Sequence, residues 1–241
     1  MHLPIGVIVN SLSVLFGGLV GALLGKKVPE RLRIALPLTF GLASMAMGIN
    51  YTVKLATLPA VVLSLILGSI IGESCKLEKG IEYCATIVRK PISRLFNDSG
   101  SIQDPKEFME KFVGIVVLFC ASGTGIFGAF TEGMTGDHSV LFTKSLLDFF
   151  TAAIFATALG YIVMTIFVPQ VLILILLFFS ASFIVPLTDA HMIADFTAVG
   201  GIIMLATGFR ICGIKAFPVA NMLPALVLVM PISHLWSVLM G

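Results

Sequence analysis

The sequence predicts an all-α fold, a polytopic transmembrane bundle of about eight helices. Of its 241 residues, 58% are hydrophobic and only 12% are charged, and the mean hydropathy is +1.07. Half of the 28 formal charges, seven basic and seven acidic, lie between Glu73 and Lys111. About 20 apolar residues suffice for one helical crossing of a bilayer. The composition therefore excludes a soluble enzyme and leaves room for seven or eight membrane spans.

Hydropathy and helix-breaking residues divide the apolar part of the chain into eight segments. The first segment is a retained helix, because it has neither a basic leading region nor a small-residue cleavage motif. Merging the fifth and sixth helices would need one apolar stretch of about 48 residues, so seven helices are the less favoured alternative. The predicted helices cover residues 5–25, 32–50, 57–73, 112–130, 139–163, 166–186, 190–209 and 217–240.

The lysines and arginines predict the orientation of the bundle. With the N-terminus outside, 13 of the 15 basic residues lie on the cytoplasmic side, and only Lys54 and Lys144 do not. The chain then divides into an N-terminal three-helix membrane half (1–73), a cytoplasmic connector (74–111) and a C-terminal five-helix membrane half (112–241).

The connector begins with an amphipathic pattern, which predicts a helix lying along the cytoplasmic membrane surface. Residues 97–101 break this pattern, and Asp104-Pro105 predicts a capped start for the fourth helix. We interpret the connector as a solvated link between the membrane halves, with docking of a cytosolic partner as the alternative. The apolar face of the surface helix consists of Leu77, Ile81, Cys84 and Ile87.

The second and third helices resemble the seventh and eighth at an offset of 160 residues. Because five helices separate the two copies, they would cross the membrane in opposite directions, as in transporters with inverted repeats. Chance matching within an apolar composition is the alternative. The identities pair Gly41, Ala46, Gly48, Ala56, Ala60 and Leu63 with Gly201, Ala206, Gly208, Ala216, Ala220 and Leu223.

Asp148 is the acidic residue that the sequence places deepest in the membrane. It lies about 13 Å along the fifth helix, at a depth where a carboxylate is paired, protonated or functional. Lys144, four residues earlier on the same helical face, makes an intrahelical ion pair the simple interpretation. The functional alternative is a cation or proton site with Ser145 and Thr151 as neutral oxygen ligands.

Residues 122–138 are rich in glycine, hydroxyl groups and carboxylates. Such a segment is typical of a broken helix or re-entrant loop that lines a cavity and gates it. An ordinary loop after a glycine-rich helix end is the alternative. The residues that suggest a gate are Gly123, Gly125, Gly128, Gly133 and Gly136, and the acidic ones are Glu132 and Asp137.

The last two helices add further polar candidates. Asp195 lies one to two turns into the seventh helix, before Gly200 and Gly201, which permit close packing. Thr188 or Asp189 is expected to cap the start of that helix. In the eighth helix, Asn221 lies between Pro218 and Pro224, a pattern suggestive of a broken helix. Asn10 lies in the first helix; for both asparagines, hydrogen bonding between helices is the alternative role.

Several of these motifs recur together in a known family. They are Val-Ile-Val-Asn10 with Gly17-Gly18, Glu132-Gly-x-x-Gly-Asp-His138, Lys144-Ser-x-x-Asp148, Thr197-Ala-Val-Gly-Gly201 and Gly213-Ile-Lys-x-x-x-Val-Ala-Asn-x-Leu-Pro224. The chain resembles the YdfK/YqgA-like prokaryotic membrane protein family, domain of unknown function 554, over nearly its whole length. The resemblance implies a multi-pass protein of the prokaryotic inner membrane, acting as a sodium channel or pump. Two positions depart from the family pattern, which has glutamate at Asp195 and asparagine at Arg210.

Together these observations predict an inner-membrane transporter or channel for a small cation (sodium or proton) or for a cation-coupled solute, with a site at mid-membrane between broken helices. Asp148 and Asp195 are the predicted charge carriers. The predicted ion or substrate ligands are Asn10, Glu132, Asp137, Lys144, Ser145, Asp148, Asp195 and Asn221, with Pro218, Pro224 and the glycines above as gating or backbone elements.

The remaining expectations concern partners and competing classes. No cofactor is expected beyond a bound sodium ion, because the four cysteines have no metal-ligand spacing and are expected to be free thiols. The expected partners are the lipid bilayer and the cation; nucleic acid is not expected. Glycine-rich faces would serve packing within the chain or a homo-oligomer.

Enzymatic activity is not expected, since the spacing before Asp137 differs from that of GxGD aspartyl proteases and no nucleotide-binding loop occurs. The competing class is a non-transporting scaffold or sensor that uses residues 73–111 as its docking surface.

Overall fold

The computed structural model of the chain describes residues 3–81 and 122–240, together with residues 83, 108, 112, 115, 116 and 118–120. These residues form a helical bundle without strands, which confirms the predicted all-α class. The helices are α1 (Ile5–Leu24), α2 (Glu30–Thr52), α3 (Leu58–Ser74), α4 (Gly123–Thr135), α5 (Ser139–Leu159), α6 (Phe167–Ile184), α7 (Ala190–Ile211), α8 (Val219–Met222) and α9 (Pro224–Met240).

The surface of the bundle is that of a membrane protein. Long apolar helices cover residues 5–24, 30–52, 190–211 and 219–239, and an apolar run covers 139–181. Large apolar side chains point outward, such as Leu176 and Phe183, which are 67% and 80% exposed. Such a surface would be unfavourable in water and is favourable against lipid.

Most of the connector lies outside the described residues. A short helical turn at 77–81 follows α3. The rest of the predicted surface helix, the break at 97–101 and the cap at Asp104 are not among the described residues. Of the cysteines, Cys75, Cys120 and Cys212 are free.

The chain reverses direction between α5 and α6. The Gln170 side-chain nitrogen lies 3.4 Å from the Asp148 carboxylate, although 22 residues separate them. A straight helix of that length would hold them about 33 Å apart. The turn follows Gly160, whose φ of 74° ends α5, and a 3₁₀ segment over 160–166. The described chain therefore has α5 and α6 as separate crossings, as the eight-helix prediction requires.

The predicted eighth helix is interrupted at Pro224. Helix α8 ends at Met222, and α9 begins two residues later. Proline has no amide hydrogen to donate, so the helical hydrogen bonding is broken there. The predicted fourth helix is also divided: residues 118–120 are helical, Ser122 is extended, and α4 starts at Gly123.

Helices α2 and α7 cross antiparallel through paired glycines. A Cβ atom on Gly48 would lie 2.6 Å from the Gly201 carbonyl oxygen, and a Cβ on Gly201 would lie 2.6 Å from that of Gly48. Two turns further along α7, a Cβ on Gly208 would lie 2.6 Å from the Gly41 carbonyl oxygen. The two backbones are thus in direct contact, which only glycine permits.

The antiparallel crossing defines the two ends of the bundle. We call the end where α1 and α7 finish and α2 and α8 start the basic end, because it carries Lys27, Arg31, Arg33, Arg210 and Lys215. The opposite end contains the turn between α2 and α3 and the turn between α4 and α5. The site described next lies between these ends.

Candidate functional site

Four polar side chains meet in the interior of the bundle around Asp148 of α5. Asn10 of α1 donates its Nδ2 hydrogen to Asp148 Oδ2 at 2.8 Å, and Lys144 forms an ion pair with the same oxygen. Gln170 of α6 donates Nε2 to Asn10 Oδ1 at 2.9 Å. Asn10 and Gln170 are completely buried, and Asp148 is 7% exposed. We call these four residues the polar centre.

The position of Lys144 depends on a small neighbour. A Cβ atom on Gly125 of α4 would come within 3.0 Å of the Lys144 Cε atom, so the glycine makes room for the lysine side chain. The ammonium group also lies 5.9 Å from the centroid of the Phe119 ring, an arrangement that favours a cation. Gly125 therefore leaves space for the lysine side chain beside Asp148, and the Phe119 ring favours its positive charge.

Within the described part of the chain, one buried oxygen of the polar centre has no hydrogen-bond partner. Among the described residues, Gln170 Oε1 is buried and accepts no hydrogen bond. Leaving a buried carbonyl oxygen unsatisfied costs about 1–3 kcal/mol. It is thus a neutral oxygen available to an additional donor or cation beside Asp148.

A cavity of about 430 Å³ reaches the polar centre. Asp148 and Lys144 line it at mid-bundle, and Arg210 lines it at the basic end. Hydroxyl groups contribute to the wall between these points, whereas much of the remaining wall is apolar. The hydroxyl-bearing residues are Ser44, Ser122, Thr124, Thr151 and Thr207.

Glu132 of α4, predicted as a ligand, is fully buried at the start of α1. Its two carboxylate oxygens accept hydrogen bonds from the amides of Gly6 at 2.6 Å and Val7 at 3.1 Å. These amides belong to the first turn of α1, so their N–H groups have no acceptor within the helix. The helix dipole also favours a negative charge at this end. Glu132 does not line the cavity; it anchors α1.

Asp195, predicted as a charge carrier together with Asp148, has a similar role at the start of α3. Its Oδ1 accepts the amides of Ala56 at 3.0 Å and Thr57 at 2.7 Å, and its Oδ2 accepts the Ser233 hydroxyl at 2.7 Å. The side chain is fully buried and does not line the cavity. The structure therefore separates the two predicted charge carriers, and only Asp148 reaches the cavity.

Asn221, predicted as a neutral ligand, instead joins helices at the basic end. Its side chain donates to Glu73 Oε2 at 2.5 Å and accepts the Glu78 amide at 2.8 Å. Glu78 in turn accepts a hydrogen bond from Arg210 Nη1 at 2.5 Å. This network ties the end of α3 to α7 and α8 beside the mouth of the cavity.

The remaining predicted ligands have local partners. Asp137 accepts the Ser139 amide at 2.9 Å, and its hydrogen bonds with Ser139 hold the pKa of its carboxyl below the usual value. The Ser145 hydroxyl donates to the Leu141 carbonyl within α5. Asp189 caps α7 by accepting the Met192 amide at 2.9 Å, as predicted.

The predicted backbone elements have varied surroundings. Gly136 adopts φ 76° and ends α4, while Pro218 directly precedes α8 and Pro224 is the first residue of α9. Gly200 of α7 faces the ring of Phe127. The glycines that lie within α4 and face buried neighbours are Gly123, Gly125, Gly128 and Gly133.

The main residue that the sequence analysis missed is Gln170. It is a strongly polar side chain in an apolar stretch, and it lies 160 residues after Asn10, the offset already seen between helices 2 and 7. Extending that offset to the first helix would have identified it. The sequence analysis also missed four residues that only the fold brings to the cavity or its mouth. They are Ser44, Thr207, Glu73 and Glu78.

Comparison with known proteins gives a family but no activity. The family described as "Protein of unknown function (DUF554)" matches residues 5–234. "Uncharacterized protein YqgA" from Escherichia coli (strain K12) is 54% identical over 233 residues, covering 97% of each chain. "Uncharacterized membrane protein YdfK" from Bacillus subtilis (strain 168) is 26% identical over 233 residues, covering 92% of this chain and 93% of that one. No solved structure matches.

Proposed function

The chain belongs to the DUF554 family, and we propose that it is a transporter of a small cation, or of a solute coupled to one, in the prokaryotic inner membrane. The observation that carries this proposal is the buried Lys144–Asp148 ion pair facing a cavity at mid-bundle. Ionisable residues within a membrane are costly and mark ion or substrate pathways. The polar centre is proposed as the binding site.

The chemistry of the polar centre favours a small cation. Lys144 already places a positive charge beside Asp148 Oδ2, so this position is electrostatically suited to an ion of the same sign. Gln170 Oε1 and Asn10 Oδ1 add neutral oxygens, the ligands that hard cations such as sodium prefer. A cation that binds Asp148 must displace the Lys144 ammonium group, so bound cation and bound lysine exclude each other.

This exclusion makes Lys144 a tethered competitor for the site. In the described structure the ammonium group pairs with Asp148, and when a cation binds there the lysine side chain must leave the carboxylate. The position of the Lys144 side chain therefore distinguishes the loaded from the empty site.

The correspondence at an offset of 160 residues supports an inverted repeat, and an inverted repeat favours a transporter over a static scaffold. At the offset of 160 residues the bounds of α1, α2 and α3 fall close to those of α6, α7 and α8–α9. Two residues contact their own counterparts: Asn10 binds Gln170, and the Ser44 hydroxyl donates to the Met204 carbonyl. Such self-pairing is expected beside a two-fold axis, and a site at a repeat interface near mid-membrane is typical of secondary transporters.

Asp148→Asn tests the proposal in proteoliposomes that carry a sodium or a pH gradient. We expect the variant to lose the flux of the transported cation, sodium or proton, because the neutral amide cannot balance the charge of that cation. Asp189→Asn is the matched control, since asparagine caps a helix as well as aspartate does and Asp189 is exposed. Equal flux through wild type and Asp148→Asn, or no flux of either ion through wild type, would contradict the proposal.

A further inference from the structure

The correspondence at an offset of 160 residues gives the cavity at the basic end a counterpart at the opposite end. The cavity is lined by Pro37, Phe40 and Ser44 of α2, by Thr207, Arg210 and Ile211 of α7, and by Val219 and Ala220 of α8. At the offset of 160 residues these positions correspond to Thr197, Gly200, Met204, Met47, Asn50, Tyr51, Pro59 and Ala60. The counterparts belong to the same pair of crossing helices and to α3, toward the opposite end of the bundle.

The space between these counterparts is filled. Phe127 of α4 is fully buried, and its ring faces Gly200. The ring centroid lies 5.5 Å from that of Tyr51 and 5.5 Å from that of Phe196. Met204 and Met47 belong to the same cluster of packed side chains. The basic end of the α2–α7 pair thus lines a cavity, whereas the corresponding region toward the opposite end is filled by the packed rings of Phe127, Tyr51 and Phe196.

The difference between the two sides has a local cause. Gly200 provides the recess that receives the Phe127 ring, whereas its counterpart on the cavity side is Phe40, which stacks against Phe150 of α5 at 6.3 Å. Among the glycines of α4, Gly123 faces Ile203 of α7, whereas the others face α5 or α6, so Phe127 and Phe130 are the rings that α4 places against Phe196 of α7. A small displacement of α4 relative to α7 would withdraw the ring from its recess.

We infer that Phe127 closes a second access path to the polar centre, lined by the counterparts of the cavity residues and leading to the opposite end. The inference rests on the proposed transport function. The structure then corresponds to a state open toward the basic end and closed at the opposite end. In the alternative state the two repeats would adopt each other's conformation, which withdraws Phe127 from its recess and closes the cavity. The polar centre would then be accessible from only one end of the bundle at a time.

Two cysteine substitutions report the two paths. Thr207 lines the cavity, and Met47 is its counterpart on the closed path. Each of Thr207→Cys and Met47→Cys is made in a chain whose native cysteines are alanine and whose sodium flux has been verified. A membrane-impermeant methanethiosulfonate reagent is then applied to either face of oriented membrane vesicles.

The expected result is an asymmetric pattern. Thr207→Cys reacts from the face at the basic end. Met47→Cys reacts only from the other face and about tenfold or more slowly, because a minor conformation is populated at about 0.1–10%. Adding Phe127→Ala raises the labelling rate of Met47→Cys at least about tenfold, toward the rate of Thr207→Cys on the open path. Phe178→Ala, which removes a buried ring from α6 outside this path, leaves the rate unchanged.

Two outcomes separate this inference from the proposed function. If sodium flux and labelling of Thr207→Cys persist while Met47→Cys stays unreactive even with Phe127→Ala, the second path is wrong and the transport proposal stands. If wild type carries no flux and Thr207→Cys reacts from neither face, the cavity is not an access path, and both proposals fail.

Discussion

Asp148 is a carboxylate only 7% exposed inside the bundle, so its stability depends on the polar groups next to it. Transfer of an ion to such an interior costs several kcal/mol, and a good pair with further hydrogen bonds recovers most of that cost. Lys144 supplies the pair, and Asn10 supplies a hydrogen bond to the same oxygen. The spacing of four residues predicted the lysine. It could not predict Asn10 or Gln170, which come from other helices.

A double-mutant cycle on Asp148 and Lys144 tests their mutual dependence. Asp148→Asn and Lys144→Gln should each lower the free energy of unfolding by about 3–5 kcal/mol, because each leaves one buried charge unpaired. The loss of unfolding free energy in the double variant should be smaller than the sum of the two single losses by about 0.5–3 kcal/mol. Unfolding in detergent micelles measures these values.

Lys215→Gln is the control for that cycle, because Lys215 is exposed at the basic end and its loss should cost less than about 0.5 kcal/mol. Strict additivity of Asp148→Asn and Lys144→Gln would mean that the two residues do not stabilise one another.

At the scale of the helices, two buried carboxylates fix where helices begin. Glu132 receives the first amides of α1, and Asp195 receives the amides before α3. A single capping interaction of this kind is typically worth about 0.5–2 kcal/mol. Hydropathy alone could place these acids inside the membrane but could not show that the unpaired amides of distant helices point at them. Their charge is thus explained by architecture rather than by transport.

The α2–α7 crossing makes a prediction about glycine. Gly48→Ala should destabilise the protein by about 1–3 kcal/mol, because the new Cβ would meet the Gly201 carbonyl oxygen at 2.6 Å and force the helices apart. Thermal unfolding in detergent measures the change. Gly80→Ala is the matched control: nothing lies within 4 Å of its added Cβ, and alanine favours a helix by about 1 kcal/mol. Opposite signs are expected, and equal effects would refute the close-contact explanation.

At the scale of the whole molecule, the basic residues and the cavity share one end. Positive charge is typical of cytoplasmic loops, so the basic end is expected to face the cytoplasm and the cavity to open toward it. The Glu78–Arg210 ion pair then lies at the cytoplasmic mouth of the cavity. The predicted orientation therefore also predicts that the cavity of the described structure is accessible from the cytoplasm.

The orientation can be measured with two exposed positions. Cys75 follows α3 at the basic end, and Val53, 78% exposed, lies in the turn between α2 and α3 at the opposite end. An impermeant thiol reagent should modify Cys75 in inside-out vesicles and Val53→Cys in right-side-out vesicles, with the other cysteines replaced by alanine. The reverse pattern would place the N-terminus inside and the cavity mouth outside.

Much of the fold was predictable because each span is a long apolar segment with clear breakers at its ends. The starts of α5 and α7 were predicted at the observed residues, Ser139 and Ala190. Prediction was weaker for 122–138, where glycine and polar residues suggested a gating loop and most of the segment is instead a buried helix ending at Thr135. Its glycines serve packing against neighbours that hydropathy does not reveal.

The sequence by itself determined the membrane setting, the all-α class and the course of most of the long helices, because these follow from local hydrophobicity and from helix-breaking residues. Only the tertiary structure decided which polar groups meet. It brought Asn10 and Gln170 to Asp148, assigned Glu132 and Asp195 to helix starts, and placed Phe127 against Gly200. In a bilayer every buried polar group must find a partner inside the protein, and the choice among partners depends on how helices pack rather than on any single segment.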